Sequence, residues 1–220
     1  MIHPLLACIL VFAISFLLGS IPSGLIIGKL VYGVDIREVG SGNIGTTNAI
    51  RALGKKGGYI VFLLDYAKGI VSGLIGMGAF SLVSPDGSPV GGFMQGDFLA
   101  AAFLACVMGH VFSPWLGFRG GKGIAVAIGC LFITYGPYPA IVELVAFVLV
   151  VMLTKYVSAG SIAAAAICPI LAFIIFGNDI PAALMCSAGA IIVIWAHREN
   201  IARLRAGTER KIGEKGTKAS

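Results

Sequence analysis

Three polar clusters interrupt an otherwise apolar chain, and each combines glycine with residues that bind phosphate. The first reads Gly40-Ser41-Gly42-Asn43-Ile44-Gly45-Thr46-Thr47-Asn48-Ala49-Ile50-Arg51, closed by Lys55 and Lys56. Three glycines within six residues free the backbone to turn its amides toward one point, and Arg51 adds a planar fork suited to phosphate. Ser41, Thr46, Thr47 and Asn48 supply short polar side chains. The second cluster, GHVFSPWLGFRGGKG from Gly109, sets Gly120, Gly121 and Gly123 around Lys122, a second cradle with a point charge at its centre. The third, HRENIARLRAGTERK from His197, places His197 and Asn200 on one face of an expected helix, which Arg203 continues. Histidine is also the side chain best able to move a proton near neutral pH.

The spacings exclude several chemistries. Gly40-x-Gly42-x-x-Gly45 has the spacing of a dinucleotide fingerprint, but an apolar helix precedes it rather than a strand and no βαβ unit follows. The second cluster is one residue short of a Walker A loop, and no Ser or Thr follows Lys122, which disfavours ATP hydrolysis. The clusters lack the grouped carboxylates that Mg²⁺ requires, so neither a metal nor another cofactor is expected. Simpler roles compete. The first cluster could be a flexible linker, and the third a basic tail on anionic headgroups, which explains Arg205, Arg210, Lys215 and Lys218 but not the His–Asn pair. His110, Trp115 and Phe118 serve either as interfacial anchors or as the lining of an acyl groove.

The elements that position these clusters are membrane helices. Of the 220 residues 58% are hydrophobic and 12% charged, and the mean hydropathy is +0.96. No soluble core of this size hides that much apolar surface, so the chain reads as an integral membrane protein. Its five cysteines all fall in apolar runs and show neither disulfide nor zinc spacing. Apolar runs cover 4–31, 59–83, 98–118, 124–135, 139–154, 158–176 and 180–196. The first is too long for a signal h-region and reads as a retained span. The two short runs flank Gly136-Pro137-Tyr138-Pro139, a turn unless one long kinked helix covers both. Charge favours seven spans. Nearly all Lys and Arg then fall on one side, in 33–58, 119–123, Lys155 and the tail from His197, while the opposite loops carry only Asp86, Asp97 and Asp179. That pattern makes the basic side cytoplasmic and puts the N-terminus outside. The net charge of +6 therefore reports membrane topology and not a nucleic-acid partner.

Asp65 and Lys68 share a face of the second span, either as a pair that steadies the helix or as one that orients the polar site above it. Glu143 stands alone in the fifth span. No internal repeat is evident, which weighs against the alternative reading, a small transporter or channel for a phosphorylated solute.

The segments GSGNIGTTNAIR, GHVFSPWLGFRGGKGIA and HRENIARLRAGTERK closely resemble, in that order, the three signature motifs of the bacterial acyl-phosphate-dependent glycerol-3-phosphate acyltransferases, the PlsY family. Order, apolar spacing and length all fit, so the resemblance covers the whole chain. Thr46 stands where the family usually has Ala, and Ile44 where Pro is common, a change expected to loosen the turn. The resemblance implies a single all-α domain over 1–220 with seven transmembrane helices in the bacterial inner membrane and a cytoplasmic active site. The implied reaction moves a fatty acyl group from acyl phosphate to the sn-1 hydroxyl of glycerol 3-phosphate, giving lysophosphatidic acid and inorganic phosphate, with the donor supplied by the soluble phosphate acyltransferase PlsX. The chain lacks the His-x4-Asp pattern of acyl-CoA-type enzymes, since Trp115 and Ala202 stand where Asp would follow His110 and His197. By motif position, Ser41, Arg51 and Lys122 hold the phosphate of glycerol 3-phosphate, with Gly120, Gly121 and Gly123 around it, and His197 and Asn200 orient its hydroxyls. Gly42, Asn43, Gly45, Thr46, Thr47 and Asn48 cradle the acyl phosphate, and Ser161, or else Ser158, joins from a third loop. The proton acceptor is either His197 or a substrate phosphate oxygen.

Overall fold

A computed structural model describes residues 2–213, and the end of the basic tail with Lys215 and Lys218 lies outside the described residues. Every regular element among them is helical, as expected of an all-α membrane protein. Helix α1 (Pro4–Ser20) is followed by α2 (Ser23–Tyr32), so the expected continuous run over 4–31 is broken. Pro22 is the cause: it has no N–H to give and it forces Ile21 out of helical geometry, to φ −57° and ψ 119°. Helix α3 (Thr46–Val83) starts well before the expected 59, and bends at Gly54, whose φ of 77° is open to glycine without strain. The second half of the first polar cluster is thus a helical turn leading into the membrane, not loop.

Helix α4 (Gln95–Val111) ends earlier than expected, at a short turn over Pro114–Leu116. Helices α5 (Ile124–Thr134) and α6 (Pro137–Thr154) are separate, because Gly136 adopts φ 79° and Pro137 opens a new first turn. Helix α7 (Val157–Phe176) and α8 (Ile180–Ala196) follow, and α9 (Arg198–Arg205) leaves α8 at 53°. By length and composition five helical units can cross a membrane (α1 with α2, α3, α4, α6 and α7), and α8 with α9 makes a sixth. Helix α5 has 11 residues, short of the roughly 20 a full span needs.

Helix α4 is the axis of the bundle, with 14 of its 17 residues buried against α1, α3, α5 and α8. In α6 only Ala140 and Glu143 are buried, as befits a helix facing lipid. Small residues set the closest approaches. Side chains at Gly19 and Gly109 would collide with backbone of the facing helix across the α1–α4 contact, and those at Gly69 and Gly129 would do so between α3 and α5. Such reciprocal glycine contacts replace the hydrophobic drive that lipid removes. They bring the starts of α3 and α5, the end of α4 and the end of α8 to the same end of the bundle.

Candidate active site

The first cluster is a folded cradle held by two asparagines. Asn48 is buried at the first turn of α3, and its Oδ1 accepts from the Ser41 amide at 2.9 Å. Its Nδ2 donates to the carbonyls of Ile36 (2.7 Å) and Asn43 (2.8 Å). Asn43 Oδ1 accepts from the Gly45 amide at 2.9 Å. Both side chains that the sequence suggested for substrate are therefore engaged in shaping the loop. Ile44 does not loosen the turn: it is 3% exposed and packs with Ile36, Ala49 and Val61. No side chain caps α3 at Gly45, so the positive end of the helix, with Thr46 and the exposed Thr47 and Ser41 beside it, is presented to an anion.

The second cluster is held by backbone. The Gly120 amide donates to the Val111 carbonyl (2.9 Å) and the Gly121 amide to the His110 carbonyl (3.0 Å), folding the loop onto the end of α4. A side chain at Gly120 would overlap the His110 carbonyl, and one at Gly121 the His110 ring. Gly123, at φ 85°, turns the chain into α5. Lys122 projects from this loop, half-buried. Burial, and then the charge of Arg203, lowers its amine from the usual 10.5 to about 8. Trp115 and Phe118 are exposed, consistent with interfacial anchors, but His110 is neither anchor nor groove lining: it is 4% exposed inside the bundle.

The third cluster supplies a residue that sequence reasoning missed. Glu209 Oε1 accepts from Asn200 Nδ2 (2.6 Å) and Ser158 Oγ (2.8 Å), while Oε2 pairs with Arg203 Nε (2.7 Å). Burial pushes this carboxyl up, but the three donors outweigh it and hold Glu209 below its usual value. Glu209 lies beyond Gly207, which ends α9 with φ 69°, so helical periodicity gave no signal for it. Its one sequence mark is an acid set between Arg205 and Arg210. Asn200 Oδ1, buried, is left without a hydrogen-bond partner among the described residues. Ser158 rather than Ser161 contacts this group, since Ser161 Oγ donates to Val157 of its own helix at 3.0 Å.

His197 stands just past α8, and its Nδ1 lies 2.8 Å from the Val193 carbonyl. A carbonyl only accepts, so Nδ1 carries the proton and Nε2 keeps its lone pair. Burial is the main reason its pKa falls from 6.5 to about 4, with the charge of Lys122 adding to the effect, so the ring is neutral at physiological pH. Arg51 feels the charges of Arg210 and Arg203 besides its own burial, and Lys122 feels those of Arg203 and Arg51. Arg51, Lys122, Arg203 and Arg210 thus form one cationic group, edged by Glu209 and His197, from three distant parts of the sequence. Arg210, which the sequence suggested for headgroups, belongs to it. Such a group suits phosphate dianions, held by charge-assisted bonds each worth roughly 1.5–3 kcal/mol.

Comparison with known proteins agrees with this chemistry. The family model described as glycerol-3-phosphate acyltransferase matches residues 9–207. A glycerol-3-phosphate acyltransferase of Anaeromyxobacter dehalogenans strain 2CP-1 is 41% identical over 209 residues, covering 94% of this chain and 98% of that protein. One from Clostridioides difficile strain 630 is 40% identical over 208 residues, covering 94% and 96%. The fold is similar to the crystal structure of PlsY (YgiH), an integral membrane glycerol 3-phosphate acyltransferase, in its glycerol 3-phosphate form, with TM-score 0.79, 35% identity and coverage of 94% and 96%. The lysophosphatidic acid form of that protein matches with TM-score 0.77 and 33% identity, covering 94% and 95%. A model match over most of the chain, and relatives at this identity along nearly their whole length, place the chain in the glycerol-3-phosphate acyltransferase family.

Proposed function

We propose that this membrane enzyme transfers a fatty acyl group from acyl phosphate to the sn-1 hydroxyl of glycerol 3-phosphate, releasing lysophosphatidic acid and inorganic phosphate. The observation that carries this reading is the convergence of Arg51, Lys122, Arg203 and Arg210 beside a neutral His197. Both substrates carry phosphate, and the site offers two cradles. The 40–48 loop with the start of α3 takes the phosphate of the donor, and Ser41, Arg51 and the Gly120–Gly123 loop with Lys122 take that of the acceptor. The acceptor hydroxyl oxygen attacks the acyl carbonyl carbon, the bond from that carbon to the phosphate oxygen breaks, and phosphate departs. Acyl phosphate is an activated mixed anhydride, so no covalent enzyme intermediate is needed.

The pKa of His197, about 4, bears on the proton. A phosphate monoester, with a second pKa near 6, is the better acceptor. The reading therefore sends the hydroxyl proton to a phosphate oxygen. His197 Nε2 and the open Asn200 Oδ1 accept hydrogen bonds from the acceptor's hydroxyls and orient them. In this reading the fold is a single domain with seven spans, α5 being the short one, in a bacterial inner membrane. The N-terminus is outside and the site cytoplasmic, where a soluble PlsX supplies the donor. Phosphate release by purified enzyme in lipid, given palmitoyl phosphate with and without glycerol 3-phosphate, tests the reaction, with palmitoyl-CoA in parallel. Release that requires the acceptor, with equal lysophosphatidic acid and none from the thioester, is expected. Release without acceptor makes the protein a hydrolase, and turnover of the thioester overturns the choice of donor.

A further inference from the structure

Beneath the two cradles lies a group of buried charges that the reaction above does not use. Asp65 and Lys68, one turn apart on α3, pair at 2.9 Å, and Lys68 Nζ also meets His110 Nδ1 at 3.1 Å and the Ile21 carbonyl at 2.8 Å. The three side chains are between 1% and 6% exposed. A charged group at this depth is costly unless every donor is satisfied, and it marks a function rather than stability. Lys68 Nζ hydrogen-bonds to the Ile21 carbonyl and His110 Nδ1 and is ion-paired with Asp65 Oδ1, an oxygen with no hydrogen-bond partner among the described residues. As donor, Lys68 makes His110 Nδ1 an acceptor, which puts the proton of the neutral ring on Nε2.

Each arm of this group ends at a cradle. The Ile21 carbonyl belongs to the break between α1 and α2, and Gly24 of α2 lies so close to the Ile44 carbonyl that a side chain there would overlap it. His110 receives the Gly121 amide on its carbonyl at 3.0 Å and sets its Nε2 where Gly121 has no side chain. We infer that Asp65, Lys68 and His110 form a positioning unit that fixes the Gly120–Gly123 loop relative to the 40–48 loop, and so the spacing of the two phosphates. None of the three touches substrate. His110 acts through Gly121, and Lys68 holds His110 against the break at Ile21.

The inference rests on the proposed assignment of the Gly120–Gly123 loop to glycerol 3-phosphate, and one experiment separates the two. Initial rates are measured against each substrate for wild type, His110→Ala, His110→Gln and Lys122→Met, with thermal unfolding in detergent for each. His110→Ala is expected to raise KM for glycerol 3-phosphate about 10-fold or more, as displaced positioning groups do, and to leave KM for palmitoyl phosphate within about twofold. Gln fills the place of the ring and carries an acceptor for Lys68 and a donor toward Gly121, so His110→Gln is expected to recover most of the loss. An unchanged KM for glycerol 3-phosphate in folded His110→Ala overturns the inference, as do equal rises in both KM values. If His110→Ala does not fold, His110→Phe, measured in the same way, decides, because it fills the place of the ring without an acceptor for Lys68: a KM for glycerol 3-phosphate above wild type with that for palmitoyl phosphate unchanged supports it, and equal rises or no change in either overturn it. Lys122→Met tests the underlying assignment, because an unchanged KM for glycerol 3-phosphate there removes the loop from that substrate and the inference with it.

Discussion

The two glycine cradles look alike in sequence and are built by opposite means. The 40–48 loop is tied by side chains: Asn48 makes three hydrogen bonds to the backbone around it, and Asn43 makes a fourth. The 120–123 loop makes no side-chain bonds of that kind among the described residues and lies on the end of α4 by two amides of its own, through spaces that only glycine leaves. The first cradle should therefore fail when atoms are removed, and the second when atoms are added.

The largest effect is expected from Gly120→Ala. Its added carbon meets the His110 carbonyl, so the loop must move, and a shift of about 1 Å costs on the order of 10²-fold in kcat/KM. Gly78→Ala, in open space toward the far end of α3 and at an ordinary helical φ, is the control that should leave activity intact. Asn48→Ala comes next. It removes the partner of the Ser41 amide and of the Asn43 carbonyl and leaves the Ile36 carbonyl only the Val39 amide, at roughly 1–3 kcal/mol for each group that water cannot reach. A drop in melting temperature together with a raised KM for acyl phosphate would bear this out, whereas wild-type behaviour would show that the loop is held by something other than Asn48.

A subtler contrast is in pH. The binding form of Lys122 is the protonated one, and its amine loses the proton as pH rises through about 8. KM for glycerol 3-phosphate should accordingly climb above pH 8, and Lys122→Arg should flatten the climb because guanidinium stays charged. A climb that persists in Lys122→Arg would assign it to another group. The smallest effect belongs to Asn43→Ala, which removes a single bond to the Gly45 amide and should cost about 1 kcal/mol, a several-fold change in KM for acyl phosphate.

Much of the fold was legible because lipid makes the code simple. Apolar runs of span length mark helices, and basic residues mark one side. What failed did so for local reasons. Thr46–Leu53 coiled into helix although glycines precede and follow it, whereas Pro22 interrupts the helix of the first run without dividing it as a span, Pro4–Tyr32. In the site, residue types drew attention to Arg51, Lys122, His197 and Asn200, but not to how each is held. Asn48 and Asn43 read as ligand donors because a side chain that braces a loop and one that binds substrate have the same formula. Glu209 was invisible because its partners, Ser158, Asn200 and Arg203, come from two helices and meet only when α7 and α9 are brought together.

The sequence by itself determined that this is a helical membrane protein and, by its motifs, the family to which it belongs. These follow from hydropathy, charge and short-range spacing, all local along the chain. Only the tertiary structure decided which cations share one site, which nitrogen of His197 keeps its lone pair, and that Asp65, Lys68 and His110 meet beneath the cradles. Those facts depend on how close α1, α3 and α4 approach, set by glycines whose partners lie tens of residues away. Electrostatics and hydrogen bonding act through space, over distances that chain order does not encode.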